Sequence, residues 1–185
     1  MIYLMRHGQD DESYIGGWSD LSLIPEGIVQ VNESARWIKD NLNIKFILCS
    51  DVKRAVETAE IVSDVLDVSF METSELREQS KGVLNGVLRT EADKEYGELL
   101  SNVGVDTVYP GGEALRDLYN KMIVYIEKIK EMEDDTLLIT HRGVINMIYY
   151  ILYGKELDMD KKQFGVDVAS VHELNVNDNT IRRIR

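Results

Sequence analysis

Two histidines and two arginines, far apart in the chain, carry the first chemical signal. "YLMRHGQD" (3–10) runs an apolar stretch straight into Arg6, His7 and Gly8, and "TLLITHRG" (136–143) runs another into His141. "SDVKRAVETAE" (50–60) adds Arg54 just beyond a third apolar stretch, "FILC" (46–49). Cationic groups at the ends of buried-looking strands cost desolvation free energy unless an anion meets them. An arginine fork pairs bidentately with phosphate oxygens and stays charged at any working pH. Two such forks nearly neutralise a phosphoryl dianion, and a neutral imidazole beside the phosphorus can then attack it to give phosphohistidine. Helix N-termini beside Ser50 and His141 would add N–H groups to the same anion site. Singly, each residue has a plainer reading: Arg6-His7 as a pair matched to a structural carboxylate, Arg54 as a solvated helix residue beside Lys53 and near Glu57, His141 as a helix cap.

The chemistry needs elements that gather these residues. Ile2 to Met5, 46–49 and 136–140 read as short buried strands, each followed by polar residues and then a helical pattern. From Pro25 apolar residues recur at Ile28, Val31, Ala35, Ile38 and Leu42, with the proline suited to an opening turn. Val52, Ala55, Val56, Ala59, Val62 and Leu66 mark a second helix face, with Ser50 or Asp51 as expected cap. A third helix runs through Leu115, Leu118, Met122, Ile126 and Ile129, and a fourth through Val144, Ile148 and Ile151. Alternating strands and helices predict an α/β fold, a three-layer α/β/α arrangement with a mostly parallel central sheet. Ligands gather beyond the carboxyl ends of such strands, where Arg6, His7 and His141 fall. The stretch from about 71 to 112 is irregular, with a weak helical segment near 91–100, and is expected to form a cap-like insertion over that rim. "ASVHELNVNDNTIRRIR" alternates like an edge hairpin turning at "NDN".

Composition narrows the partners. The 185 residues, 44% hydrophobic, suit one domain spanning 1–185, without repeats or low-complexity stretches. A formal charge of -12 disfavours nucleic acid and anionic membranes, so any anionic ligand must be held by a local basic pocket. The single cysteine, Cys49, cannot form an internal disulfide and reads as packed core. No apolar run reaches membrane-spanning length and the segment before Arg6 is too short for a signal peptide, so the cytoplasm is expected. Three histidines and one cysteine without close ligand spacing predict no metal site and no cofactor. His172 shares a strand face with Leu174 and Val176 and reads as structural.

Six stretches in order resemble the histidine phosphatase superfamily, the phosphoglycerate mutase-like proteins. They are Arg6-His7-Gly8, "GWSDLSLIPEG" (17–27), "SDVKRAVETAEIV" (50–62), "LREQSKGVLNG" (76–86), "YPGGEA" (109–114) and "LLITHRG" (137–143). The resemblance implies the phosphoglycerate mutase-like fold and a two-step, metal-independent reaction. His7 attacks phosphorus, Glu78 protonates the leaving oxygen and then helps a water hydrolyse the phosphohistidine, while Arg6, Arg54 and His141 hold the equatorial oxygens. It implies His7, Glu78, Arg6, Arg54 and His141 as the catalytic set. Substrate contacts are then expected from Arg6, Gly8, Gln9, Gly17, Arg54, His141 and Arg142.

The sequence also departs from the family. After Arg-His-Gly it reads "QDDESYIGG", without the Glu-Thr or Glu-Ser pair and the asparagine that members often carry. Asp10, Asp11 and Glu12 would repel a second phosphate or carboxylate if they faced the pocket, a solvated loop being the plainer reading. The expected activity is hydrolysis of a small phosphomonoester by a protein that either stands alone or pairs as a homodimer. The alternatives are a phosphoglycerate mutase, disfavoured by the short chain, and a non-catalytic phospho-ligand sensor, for which a nucleophile and an acid would be superfluous.

Overall fold

The first strand decides the layering. In the computed structural model, which describes residues 1–132, 135–160 and 162–185, β1 (Ile2–Arg6) is buried along its whole length. Its side chains alternate between two cores, as a strand's period of two requires. Tyr3 and Met5 pack with Val31, Ala35, Ala55 and Ala59 on one face, whereas Ile2 and Leu4 pack with Leu118, Met122, Val144 and Ile148 on the other.

Those contacts place α1 (Pro25–Asn41) and α2 (Lys53–Leu66) on one side of the sheet. α4 (Leu115–Lys130) and α5 (Arg142–Tyr153) lie on the other. Between α1 and α2 runs β2 (Phe46–Ser50), and β3 (Phe70–Thr73) follows α2. A third helix, α3 (Arg89–Ser101), comes before α4. β4 (Thr136–Thr140), β5 (Val171–Asn175) and β6 (Thr180–Arg183) complete a six-stranded sheet of order β3-β2-β4-β1-β5-β6. The three pairings among β3, β2, β4 and β1 are parallel, and β5 and β6 add antiparallel pairings at one side. The sheet is thus mostly parallel and sandwiched by helices, the expected three-layer α/β/α arrangement, and the closing hairpin ends it at β6.

Register brings the reactive residues together. Arg6 lies opposite Thr140 in the β1/β4 pair, so His7 and His141 leave the sheet side by side. Cys49 lies opposite Ile139, which sets Ser50 next to His141.

Four local expectations change. β3 puts Met71 to Thr73 in the sheet, not in the segment expected over its rim; its side chains are half-buried or exposed, so it carries no apolar signature. Ile28 is 44% exposed, and the buried face of α1 is Gly27, Val31, Ser34, Ala35 and Ile38, because close approach to the sheet favours small residues there. α2 starts after Val52 with no side-chain cap; the Ser50 hydroxyl instead accepts the Val52 N–H at 3.3 Å and meets His141. α3 breaks its helical backbone at Tyr96, and with Ile15, Leu84 and Tyr109 its Ala92 forms a small separate apolar cluster. Cys49 is fully buried as expected. Among the described residues no helix is long and apolar enough to cross a membrane.

Candidate active site

Arg54 is the hub. It projects from the first turn of α2 and is almost fully buried. Its Nε–H donates to His7 Nε2 at 3.1 Å, and Nη1 to Ser19 Oγ at 3.1 Å. Nη2 donates to the Gly17 carbonyl at 2.8 Å and meets His141 Nδ1 at 3.2 Å. A guanidinium can only donate, so both histidine nitrogens it touches must carry a lone pair. That fixes both tautomers. His7 holds its proton on Nδ1 and donates it to the Gly8 carbonyl at 2.6 Å, and His141 holds its proton on Nε2 and donates it to Ser50 Oγ at 2.8 Å.

Electrostatics agree with the geometry. Burial first, then the positive charges of Arg54 and Arg6, hold the His7 pKa well below the ordinary imidazole value. His141 is lowered in the same way, by burial and then Arg54. Both rings are therefore neutral at neutral pH. The only lone pair in the plane of the His7 ring is on Nε2, where it accepts from Arg54.

Arg6 completes the cationic side. Its Nη1 donates to the Val166 carbonyl at 3.0 Å, while its backbone N–H reaches the Ser170 carbonyl at 3.1 Å. Its Nε is buried without a hydrogen-bond partner. Burial, helped by Arg142, lowers its pKa to about 10, against the opposing pull of Glu78, Asp10 and Glu12. It stays charged at neutral pH, and among the described residues its guanidinium spends only one N–H on the protein.

Glu78 stands across the same cleft, anchored by backbone. Its Oε1 accepts the Gln79 N–H at 3.0 Å and its Oε2 accepts the Gly143 N–H at 2.9 Å, in the first turn of α5 where N–H groups lack helical partners. A methyl group on Gly143 would come within 2.0 Å of Glu78 Oε1, so only glycine lets the carboxylate approach. The indole of Trp18 donates to the Glu78 carbonyl at 2.7 Å, and the Arg77 guanidinium lies 4.7 Å over the same ring.

The cleft has a volume of about 400 Å³. Arg6, His7, Gly17, Arg54, Glu78 and Arg142 all line it, so six of the predicted residues converge. His141 does not form its wall: it is fully buried beneath Arg54, with its ring centroid 5.1 Å from that of His7. Gly8 and Gln9 are not brought into the cleft. The Gly8 N–H is spent on Thr58 Oγ1 at 3.2 Å, and a Cβ there would strike Val31 and the Gly27 carbonyl of α1. Gln9 pairs through its side chain and backbone with Gln30 of α1. Asp10, Asp11 and Glu12 line the cleft; Asp11 and Glu12 are exposed, as the solvated-loop reading expects, whereas Asp10 turns inward and its Oδ2 lies 3.5 Å from Arg54 Nε.

Sequence reasoning missed Ser19, Ser50, Thr58 and Gly143, which hold the reactive groups through single hydroxyls or one absent methyl. All four sit within quoted stretches, Ser19 in 17–27, Ser50 and Thr58 in 50–62 and Gly143 in 137–143, but nothing in their residue types marks these roles.

Comparison with known proteins places this geometry. The histidine phosphatase superfamily (branch 1) matches residues 2–184. Phosphoglycerate mutase-like protein 4 of Arabidopsis thaliana is 30% identical over 158 residues, covering 80% of this chain and 69% of that protein. The phosphatase PhoE of Bacillus subtilis is 25% identical over 191 residues, covering 95% and 94% of the two chains. The alpha-ribazole phosphatase of Shigella flexneri shares the fold with a TM-score of 0.83 at 21% identity, over 98% of this chain and 93% of that one. With its fold, its paired strand-end histidines and its whole-length match in agreement, this chain belongs to the histidine phosphatase superfamily.

Proposed function

We propose that the protein hydrolyses small phosphomonoesters through a phosphohistidine on His7, without a metal ion. The observation that carries this reading is the fixed tautomer of His7, whose Nε2 lone pair lies between Arg54 and the cleft. The phosphoryl group seats between the two arginines, taking the remaining Nη1–H of Arg54 and N–H groups that the Arg6 guanidinium does not spend on Val166. His7 Nε2 attacks phosphorus in line, the bond to the leaving oxygen breaks, and a protonated Glu78 gives that oxygen its proton. Glu78, now a carboxylate, takes a proton from water as the water attacks phosphorus, and the N–P bond returns its electrons to His7. Arg6 and Arg54 carry the charge of the equatorial oxygens. His141 acts as a positioning residue: its Nδ1 accepts from Arg54, so it directs that fork and not a phosphoryl oxygen. This revises the expectation that it would hold an oxygen itself.

The acidic stretch in the cleft wall favours hydrolase over mutase. A phosphoglycerate carries a carboxylate beside its phosphate, and Asp10, Asp11 and Glu12 repel it. A reducing cytoplasm suits the chain, since Cys49 stays a buried thiol whose pKa burial raises to about 12.

The test is phosphate release from p-nitrophenyl phosphate and a panel of phosphomonoesters, with chelator present, for wild type and His7→Ala. Turnover that survives chelator and vanishes in the variant is the expected result. Interconversion of phosphoglycerates without net phosphate release would establish the mutase instead.

A further inference from the structure

Arg54 has a partner that the proposed reaction does not use. Asp10 Oδ2 lies 3.5 Å from the same Nε–H that holds the His7 lone pair, and the Asp10 side chain is only 14% exposed. Arg54 does not need this carboxylate to keep its place, because His7, Ser19, Gly17 and His141 already take four of its five N–H groups. Nor is the carboxylate tied elsewhere: among the described residues its side chain makes no hydrogen bond, and only its backbone is fixed, in a bridge to Leu23. A single negative charge is thus held at the mouth of an anion site. It is the leading positive influence on the Arg54 guanidinium, ahead of Glu78, against the lowering that burial imposes.

Resting on the reading of the site as a phosphatase centre, we propose that Asp10 is a resident competitor for the phosphoryl group. Its carboxylate is the counter-ion that an incoming phosphate displaces from Arg54. Product phosphate is therefore weakly held, and substrates with further negative charge close to the transferred group are disfavoured. Two like charges sharing one guanidinium repel each other in a partly desolvated cleft, and that repulsion weakens the hold on the dianionic phosphoryl group of substrate and product alike. Asp11 and Glu12, next along the cleft wall, are exposed, so solvent screens their charge.

The experiment measures orthophosphate, both as competitive inhibitor of p-nitrophenyl phosphate turnover and by direct calorimetric titration. It compares wild type, Asp10→Asn, Asp10→Ser and the neighbouring Asp11→Asn, each checked for folding by circular dichroism. Loss of one like charge beside the site should tighten phosphate binding about tenfold in both Asp10 variants. The exposed Asp11, screened by solvent, should change it by less than about twofold. A purely structural Asp10 would leave binding unchanged or weaken it, and that result overturns the proposal. Loss of turnover at unchanged phosphate affinity makes Asp10 a proton-transfer group and overturns it too. A wild type that hydrolyses esters, with Asp10 variants that bind phosphate no better, sinks this inference alone. A wild type that neither turns over nor binds phosphate sinks the phosphatase reading along with it.

Discussion

His7 and His172 are both buried, and in both burial lowers the imidazole pKa, to about 4 in the case of His172. Their neighbours separate them. The Ser170 hydroxyl donates to the Asp167 carbonyl at 2.7 Å, so it must accept from His172 Nε2 at 2.9 Å. That leaves His172 Nδ1 to accept from the Tyr149 hydroxyl at 2.8 Å. The result is a closed chain of hydrogen bonds between neutral groups, with no lone pair left over and no cleft beside it. At His7 the Nε2 lone pair accepts from the charged Arg54 guanidinium, and the ring lines the cleft. A depressed pKa alone therefore does not mark a reactive ring; a place on the cleft wall beside cationic groups does.

The sharpest test of the contrast is to delete each ring. His7→Ala should lower turnover by about a thousandfold or more while the chain still folds, at a stability cost of about 1–3 kcal/mol for the buried Arg54 N–H left unpaired. If that variant unfolds at ordinary growth temperature, the rim placement is wrong. Arg54→Lys keeps the charge but breaks a fork that serves four acceptors, so kcat/KM should fall about a hundredfold. An unchanged rate would remove Arg54 from the site.

Smaller changes sharpen the acid's side of the comparison. Gly143→Ala pushes the Glu78 carboxyl away from the first turn of α5. It should slow alkyl phosphates by about tenfold and p-nitrophenyl phosphate far less, since a good leaving group needs no proton. Equal slowing of both would mean that Glu78 is not the proton donor. His172→Leu should leave kcat nearly intact but destabilise the fold by about 1–3 kcal/mol for each polar partner left unpaired, Tyr149 and Ser170. Denaturant unfolding beside an activity assay separates the two effects.

Acid should weaken the fold through all three histidines. His172 takes its proton near pH 4 in the folded chain and near its ordinary value of 6.5 when unfolded. Between those values the unfolded state binds more protons, so the His172 contribution is complete above about pH 6.5 and is lost as pH falls towards 4. His7 and His141, both lowered, act in the same direction. His172→Gln should flatten this slope without abolishing it. A slope identical to wild type would show that His172 is not buried as a neutral ring.

The sequence revealed those parts of the site whose residue types are chemically distinctive and whose elements are strongly apolar. β1, β2 and β4 are continuous apolar runs, and the residues that follow them could be placed at the rim before any fold was seen. β3 escaped because an edge strand with half-exposed side chains shows neither a run nor an alternation. Ser19, Ser50 and Thr58 escaped for another reason: a hydroxyl that holds an arginine or a histidine looks like any other hydroxyl in a sequence. Gly8 and Gln9 were drawn towards the cleft by their place beside His7, although the chain turns sharply there onto α1. Asp10 turns the other way, and only the folded loop shows it. His172, by contrast, was legible as structural from its alternation with Leu174.

The order of strands has a consequence for synthesis. β1 lies in the interior of the sheet, with Ile2 opposite Thr136 on one side and Leu174 on the other. A ribosome makes His7 early and both flanking strands much later. Until they emerge, β1 offers two unpaired edges and an apolar surface, a species that aggregates readily and invites chaperones. Because Arg6 also leans on carbonyls at Val166 and Ser170, the cationic side of the cleft is held only once the C-terminal segment has joined. Site and sheet are therefore completed together.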